Sequence, residues 1–250
     1  MRGVILAGGK GTRLWPLTAV TNKNLIPVGD IPMIEYPLYT LRNSGVSKIS
    51  VVTGGEHLEQ ISKYLGQIHK NINFSYYSQL EAGGISQAIA CAKDSLEGGK
   101  VTVILGDNIF EDDFSAAVKK FEKSKLGAML FLKEVDDPER FGVAEIKDNK
   151  IVSIKEKPKK PKSNLAVTGF YLYDSTVFDK IKTLKPSARG ELEVTDLNNL
   201  YINERRLGYS IVTGFWSDAG THESRSYCEK FVKKGLESKV IKASPGLVLK

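Results

Sequence analysis

The chain has 250 residues, 41% hydrophobic and 26% charged, which suits an α/β protein with a sizeable core and excludes a disordered chain. No run of about 18 apolar residues predicts a membrane span, and the isolated Cys91 and Cys228 predict neither a disulfide framework nor a thiolate zinc site, which fits a reducing cytoplasm. The net charge of +7 leaves anionic partners open: small phosphates, nucleic acid or a membrane surface.

Residues 4–6, Val-Ile-Leu, predict a buried strand over 3–7. Gly8, Gly9 and Gly11 follow at once, with Lys10 and Arg13 among them. A glycine turn at the end of a first strand lets backbone N–H groups approach a ligand closely, and successive N–H groups form an anion-binding concavity. Arg13 adds a donor suited to bidentate phosphate contacts. Two familiar phosphate loops do not fit. Lys10 is followed by Gly11 rather than Ser or Thr, and Leu14 stands where a third spaced glycine would fall.

Helices are predicted over 33–44, over 56–65 with Gly66 as the stop, over 84–93 and over 113–123. Strands are predicted over 48–53, 73–77 and 101–105. This alternation implies βαβ units and a parallel sheet covered on both faces. Ligands of such sheets bind beyond the carboxyl ends of the strands. The glycine loop, Gly54-Gly55, Gly83-Gly84 and Gly106-Asp107 all fall there, so one mouth should collect them. Further on, strands are predicted over 128–133, 142–146, 151–155 and 167–173, with a hairpin turn at 147–150. A helix over 193–203, strand pieces at 210–213 and 215–218, and a last helix from 221 complete the chain. The second half therefore reads as a mixed extension of one sheet, carrying a substrate lobe.

Asp107 ends an apolar run just after Gly106, and Asp218 stands after Trp216-Ser217 and before Ala219-Gly220, strand-end settings suited to a Mg²⁺ ligand. Only the fold can bring them together. Lys23 and Lys157 are candidate phosphate-binding cations, or solvent-facing lysines. The run Lys159, Lys160 and Lys162 lies between prolines without interleaved aromatics, so it reads as a solvated face rather than a nucleic-acid site.

The combination is more specific than any part. Leu6-Ala7-Gly8-Gly9-x-Gly11-Thr12-Arg13-Leu14, Lys23-x-Leu25-x-Pro27-Val28, Gly106-Asp107-Asn108-Ile109-Phe110, Asp137-Pro138-Glu139-Arg140-Phe141-Gly142-Val143, Glu156-Lys157-Pro158, Val167-Thr168-Gly169, the run from Lys185 to Glu193 and Trp216-x-Asp218-x-Gly220-Thr221 occur in this order. This set resembles the sugar-1-phosphate nucleotidylyltransferases over nearly the whole chain, most closely those that use thymidine nucleotides. The resemblance implies a Rossmann-like three-layer α/β/α nucleotidyltransferase fold with a mainly parallel, mixed sheet. It implies one domain over 1–250: a nucleotide-binding half (1–125), a sugar-phosphate-binding half (126–220) and a C-terminal helical segment (221–250). The implied reaction is Mg²⁺-dependent transfer of dTMP from dTTP to α-D-glucose 1-phosphate, in the cytoplasm, by a homo-oligomer without nucleic-acid or membrane partners. A uridylyltransferase, or an enzyme for another sugar 1-phosphate, is the alternative.

Residue by residue, the resemblance assigns catalysis to Arg13, Lys23 and Lys157. The nucleotide falls to Leu6, Gly8, Gly9, Gly11, Thr12, Arg13, Gln79, Gly84 and Asp107. The sugar phosphate falls to Asn108, Gly142, Glu156, Lys157, Val167 and Tyr171, and the metal to Asp107 and Asp218. The chain departs from the family pattern at Lys10, Asn24, Leu80, Phe141 and Ala219, none of them a proposed metal ligand. Longer relatives carry an additional C-terminal regulatory segment, so product feedback is not expected here.

Overall fold

A computed structural model of the chain describes residues 1–96 and 98–237. Its first half runs β1 (Arg2–Leu6), the short pair β2 (Pro27–Val28) and β3 (Ile31–Pro32), α1 (Glu35–Asn43), β4 (Ile49–Gly54) and α2 (Leu58–Ile68). It continues through β5 (Phe74–Gln79), α3 (Ile85–Cys91), β6 (Val101–Leu105), β7 (Asn108–Phe110) and α4 (Ser115–Lys123). The second half runs β8 (Ala128–Glu134), β9 (Gly142–Lys147), β10 (Lys150–Glu156), β11 (Leu165–Tyr173) and α5 (Val177–Thr183), then α6 (Val194–Asn203), β12 (Leu207–Ile211), β13 (Trp216–Asp218) and α7 (His222–Glu237).

Strands β6, β1, β4 and β5 lie side by side and all parallel. β11 then joins antiparallel to β6 and, on its other edge, to β8, which pairs parallel with β12. The hairpin β9–β10 attaches beside the first part of β11. The central sheet is thus mixed, as expected, with its parallel part formed by the first half of the chain. Both faces are covered because successive side chains of a buried strand point opposite ways. Val4 and Leu6 of β1 pack with α3, α5 and α6, through Ile89, Phe178 and Leu197. Ile5 packs the other way, with α1, α2 and α4, through Leu38, Ile61 and Phe121.

Four local expectations need correction. Gly66 does not stop α2, which runs on to Ile68. A Cβ at Gly66 would meet nothing within 4 Å, so this is an open helix face, where glycine costs only about 1 kcal/mol against alanine. The strand expected over 210–213 is β12, beginning at Leu207, because pairing with β8 rather than local propensity sets its start. α5 was not anticipated: it is a seven-residue helix whose Val177, Phe178 and Ile181 are buried under the sheet. β7 follows β6 after two residues and leaves the main sheet to pair with β13. The helix from 221 is described to residue 237. The rest of the C-terminal segment expected over 221–250, residues 238–250, lies outside the described residues. Among the described residues no helix is long and apolar enough to cross a membrane.

Candidate active site

The glycine loop leaves β1 at a point gripped from three sides. The Leu6 carbonyl accepts from Gly106 N–H at 2.8 Å, and Ala7 N–H donates to the Val52 carbonyl at 2.7 Å. The Ala7 carbonyl accepts from Asn22 Nδ2, Asn24 Nδ2 and Thr53 Oγ1 at 3.2, 2.9 and 3.1 Å. Within the loop Gly11 has φ +62°, and a Cβ there would come within 2.7 Å of Thr18, so both conformation and space demand glycine. Gly9, Lys10, Thr12 and Arg13 are exposed at the mouth, whereas Leu6 is buried.

The two buried asparagines do more than hold the loop. They flank Lys23, and Asn22 Oδ1 accepts from Asn24 N–H at 2.8 Å. Lys23 is thereby delivered to Asp107: its ammonium donates to Asp107 Oδ2 at 2.6 Å, and both side chains are mostly buried. Burial pulls the Asp107 carboxyl upward. The Lys23 ammonium, helped by Asn108 Nδ2 at 3.0 Å and by Arg13, outweighs it and holds Asp107 below the usual carboxylate range.

Asp218 reaches the same place through β7 and β13. These strands pair antiparallel with Asp218 opposite Asn108, and Ala219 N–H donates to the Asp107 carbonyl at 2.8 Å. Two acids 111 positions apart thus become neighbours. Gly220 marks the meeting point: a Cβ there would lie 3.2 Å from Arg13 Nη2, 3.2 Å from Asp218 Oδ1 and 3.3 Å from Asp107 Oδ2. Asp218 Oδ1 accepts from Gly220 N–H at 2.9 Å and Ser224 Oγ at 3.1 Å, and Arg140 approaches Oδ2 at 3.5 Å. Buried Cys228 lies behind Asp218. Burial first, with Asp218 and Asp107 next among the causes that raise it, pushes its thiol up to about 12, so it is chemically quiet at neutral pH.

A cavity of about 620 Å³ opens beside this cluster. Arg13, Asp107 and Asp218 line one edge, and Glu156, Arg189 and Thr195 line the other. Glu156 Oε2 accepts from Thr195 Oγ1 at 2.6 Å, and Arg189 lies 3.7 Å from Oε1. Arg189 also donates to both oxygens of Glu193 at 2.9 Å. Val167 and Tyr171 line the wall between, and burial raises the Tyr171 hydroxyl well above its usual range. Lys157 has φ +40°, uncommon for a side-chain-bearing residue, and its N–H is held by the Phe141 carbonyl at 3.0 Å. Gly142 lies against Thr195 Oγ1 and Glu156 Oε2, which a Cβ would approach to 3.2 and 3.4 Å.

Gln79 ends β5 beside the end of β4, and its Oε1 would stand 3.1 Å from a Cβ on Gly8. The following loop is tied to the segment that leads into α6. Leu192 N–H donates to the Gly83 carbonyl at 2.8 Å, and Ser86 N–H donates to the Leu192 carbonyl at 3.3 Å.

The structure therefore brings Arg13, Lys23, Asp107 and Asp218 together, and sets Gly142, Glu156, Lys157, Val167 and Tyr171 around the adjoining cavity. Asn108 is engaged from within: its Oδ1 accepts from Gly169 N–H and Trp216 Nε1 at 2.9 and 2.8 Å. Arg140, Glu193, Thr195 and Ser224 were not singled out from the sequence. Arg140 and Thr195 reach Asp218 and Glu156 across distant segments, whereas Glu193 pairs with Arg189 at i,i+4 and Ser224 bonds Asp218 six residues back.

The donors at Gly220 are two hard carboxylates beside cations. Among the described residues no cluster of three or more His, Cys, Asp or Glu could form a metal cage. Two carboxylates fit Mg²⁺, which takes its remaining ligands from water and substrate phosphates.

Comparison with known proteins finds relatives over most of the chain. The profile of the nucleotidyl transferase family matches residues 2–235. A glucose-1-phosphate thymidylyltransferase of Neisseria meningitidis serogroup A is 44% identical over 238 residues, covering 93% of this chain and 83% of that protein. A Bacillus anthracis structure, assigned as a glucose-1-phosphate thymidylyltransferase and solved with sucrose, superposes with a TM-score of 0.88 at 50% identity, over 93% of this chain and 95% of that one. A UDP-glucose pyrophosphorylase structure with UDP-glucose shares the fold, with a TM-score of 0.83 at 22% identity, over 93% and 98% of the two chains.

Proposed function

Because the chain belongs to the nucleotidyl transferase family, we propose that its mouth transfers dTMP from dTTP to glucose 1-phosphate, releasing pyrophosphate and forming dTDP-glucose. The supporting observation is the convergence of Arg13, Asp107 and Asp218 on Gly220, beside a cavity also lined by the polar Glu156, Arg189 and Thr195.

In this reading a phosphate oxygen of glucose 1-phosphate attacks the α-phosphorus of dTTP. The new P–O bond forms as the bond to the β-phosphate breaks, and pyrophosphate leaves with the electron pair. Such a transfer depends on positioning and charge stabilisation more than on covalent help from the protein. The amides of Gly8, Gly9, Gly11 and Thr12 line the triphosphate, with Leu6 as the anchoring strand end. Arg13 holds the departing pyrophosphate. Lys23, already desolvated beside Asp107, offsets charge on the phosphate being transferred. Lys157 holds the sugar phosphate. Glu156, with Gly142, Val167 and Tyr171, faces the hexose, and Glu156 accepts from sugar hydroxyls. Asn108 is better placed to brace Asp107 and Trp216 than to give its whole amide to a sugar. Gln79 and the Gly84 backbone read the base. Asp107 and Asp218 would hold Mg²⁺, which supplies charge neutralisation on the phosphates when bound.

The proposal includes a single domain over 1–250, with a nucleotide half and a sugar-phosphate half. It also includes a homo-oligomeric state and a cytoplasmic location, where Cys91 and Cys228 stay reduced. The test is pyrophosphate release with dTTP, UTP, CTP, ATP and GTP against several sugar 1-phosphates. The dTTP and glucose 1-phosphate pair should give the highest kcat/KM. Turnover with no pair would sink the reading.

A further inference from the structure

Resting on the base reading above, the geometry points to Gln87, cradled by Gly83, as the residue that decides which nucleobases Gln79 accepts. A glutamine amide is ambiguous by itself, since its oxygen accepts and its nitrogen donates, and rotation exchanges them. Two backbone groups remove the ambiguity here. The Gly84 carbonyl can only accept, and Gln79 Nε2 lies 3.1 Å from it. Gly83 N–H can only donate, and it is shared between the Glu81 carbonyl at 2.8 Å and Gln87 Oε1 at 3.0 Å. The Gln87 atom at that point must therefore be oxygen. It accepts a second hydrogen bond, from Gln79 Nε2 at 2.8 Å.

Both hydrogens of the Gln79 amide nitrogen are thus used inside the protein. What remains for a ligand is Oε1, an acceptor, which stands over Gly8 in the phosphate loop. An acceptor there matches a base whose pairing edge carries a ring N–H: thymine, uracil or guanine. It opposes the ring-nitrogen lone pair of cytosine or adenine. Gln87 and the Gly84 carbonyl together set this polarity and make Gln79 a one-way reader.

The clamp also explains Gly83. A Cβ there would lie 2.4 Å from Gln87 Oε1, so any larger residue expels the amide that orients Gln79. On its other side Gly83 is fixed by its carbonyl's bond from Leu192 N–H, so it cannot easily swing away.

The test is the ratio of kcat/KM for dTTP to that for dCTP, each with glucose 1-phosphate. Wild type, Gln87→Met, Gln87→Glu, Gly83→Ala and Gln79→Met would be compared, each first checked for cooperative thermal unfolding. Gln87→Met keeps the bulk but removes the shorter of the two hydrogen bonds that orient Gln79, leaving the Gly84 carbonyl alone to hold it. The ratio should fall about tenfold or more, the worth of one polar contact, mainly through KM for dTTP. Gln87→Glu keeps an acceptor oxygen and should hold the ratio near wild type, whereas a merely space-filling role would leave Gln87→Met and Gln87→Glu alike. Gly83→Ala should lower the ratio as Gln87→Met does, and serves in its place should that variant not fold. An unchanged ratio in Gln87→Met and Gly83→Ala, with a collapsed ratio in Gln79→Met, overturns the proposal and leaves the base reading standing. An unchanged ratio in Gln79→Met as well removes the base reading itself.

Discussion

On the phosphate side of the mouth, Lys23 and Asp107 are set by backbone: parallel strands end together, and buried asparagines bolt the Lys23 segment to the Ala7 carbonyl. Across the cavity the hold is side chain on side chain: Thr195 on Glu156, and Arg189 on Glu193. The Lys23 side chain is 15% exposed and that of Arg189 45%. A charge held in place by buried backbone is ready before substrate arrives, as transition-state stabilisation requires. A charge held by an exposed ion pair must exchange that partner for substrate. The first arrangement should govern rate and the second substrate affinity.

Breaking the phosphate side should therefore cost most. Asp107→Asn should lower kcat by about 10²–10³ while the circular dichroism spectrum stays native. Near-normal turnover would remove Asp107 from the chemistry. Lys23→Met should also lower kcat strongly, and should destabilise the fold by about 3 kcal/mol by leaving a buried carboxylate unpaired. The sign of its pH dependence is specific. In wild type the folded Asp107 pKa lies below its unfolded value near 3.9, so the pair's stabilisation is complete above that value and is lost as pH falls through the folded pKa. Without Lys23, only Asn108 and Arg13 oppose burial, the largest single influence, and the carboxyl rises. Urea unfolding should then show the largest gap between wild type and variant near pH 7, narrowing below about pH 4. A gap independent of pH would detach Lys23 from Asp107.

On the sugar side, Glu156→Gln should raise KM for glucose 1-phosphate about tenfold and leave kcat within about threefold. A large fall in kcat with unchanged KM would erase the distinction between the two sides. Smallest of all, Lys10→Ala should change KM for dTTP by less than about threefold at physiological salt, because an exposed charge is screened.

The same contrast explains what could be read from the sequence. The glycine loop, Asp107 after β6 and the alternating strands of the first half are local signals, and the fold keeps them. The parallel sheet follows from β-branched runs separated by helices. The meeting of Asp107 and Asp218 was only an expectation carried by resemblance, because it depends on β7 leaving the sheet to pair with β13. Arg140 stood in a recognised motif without a role, and Thr195 and Ser224 were given none, since Arg140 and Thr195 meet Asp218 and Glu156 only through the fold and Ser224 meets Asp218 only through a turn. Gly66 misled because propensity marks it as a stop, and packing elsewhere in α2 overrules it.

The two sides are proposed to meet at one Mg²⁺ held by Asp107 and Asp218. The most direct measurement is a Mg²⁺ titration of pyrophosphate release from dTTP and glucose 1-phosphate, in wild type and Asp218→Asn. Wild type should release pyrophosphate only with Mg²⁺ and both substrates, and the variant should need at least about tenfold more Mg²⁺ for half-maximal rate. Identical Mg²⁺ dependence in the two proteins would contradict the shared metal.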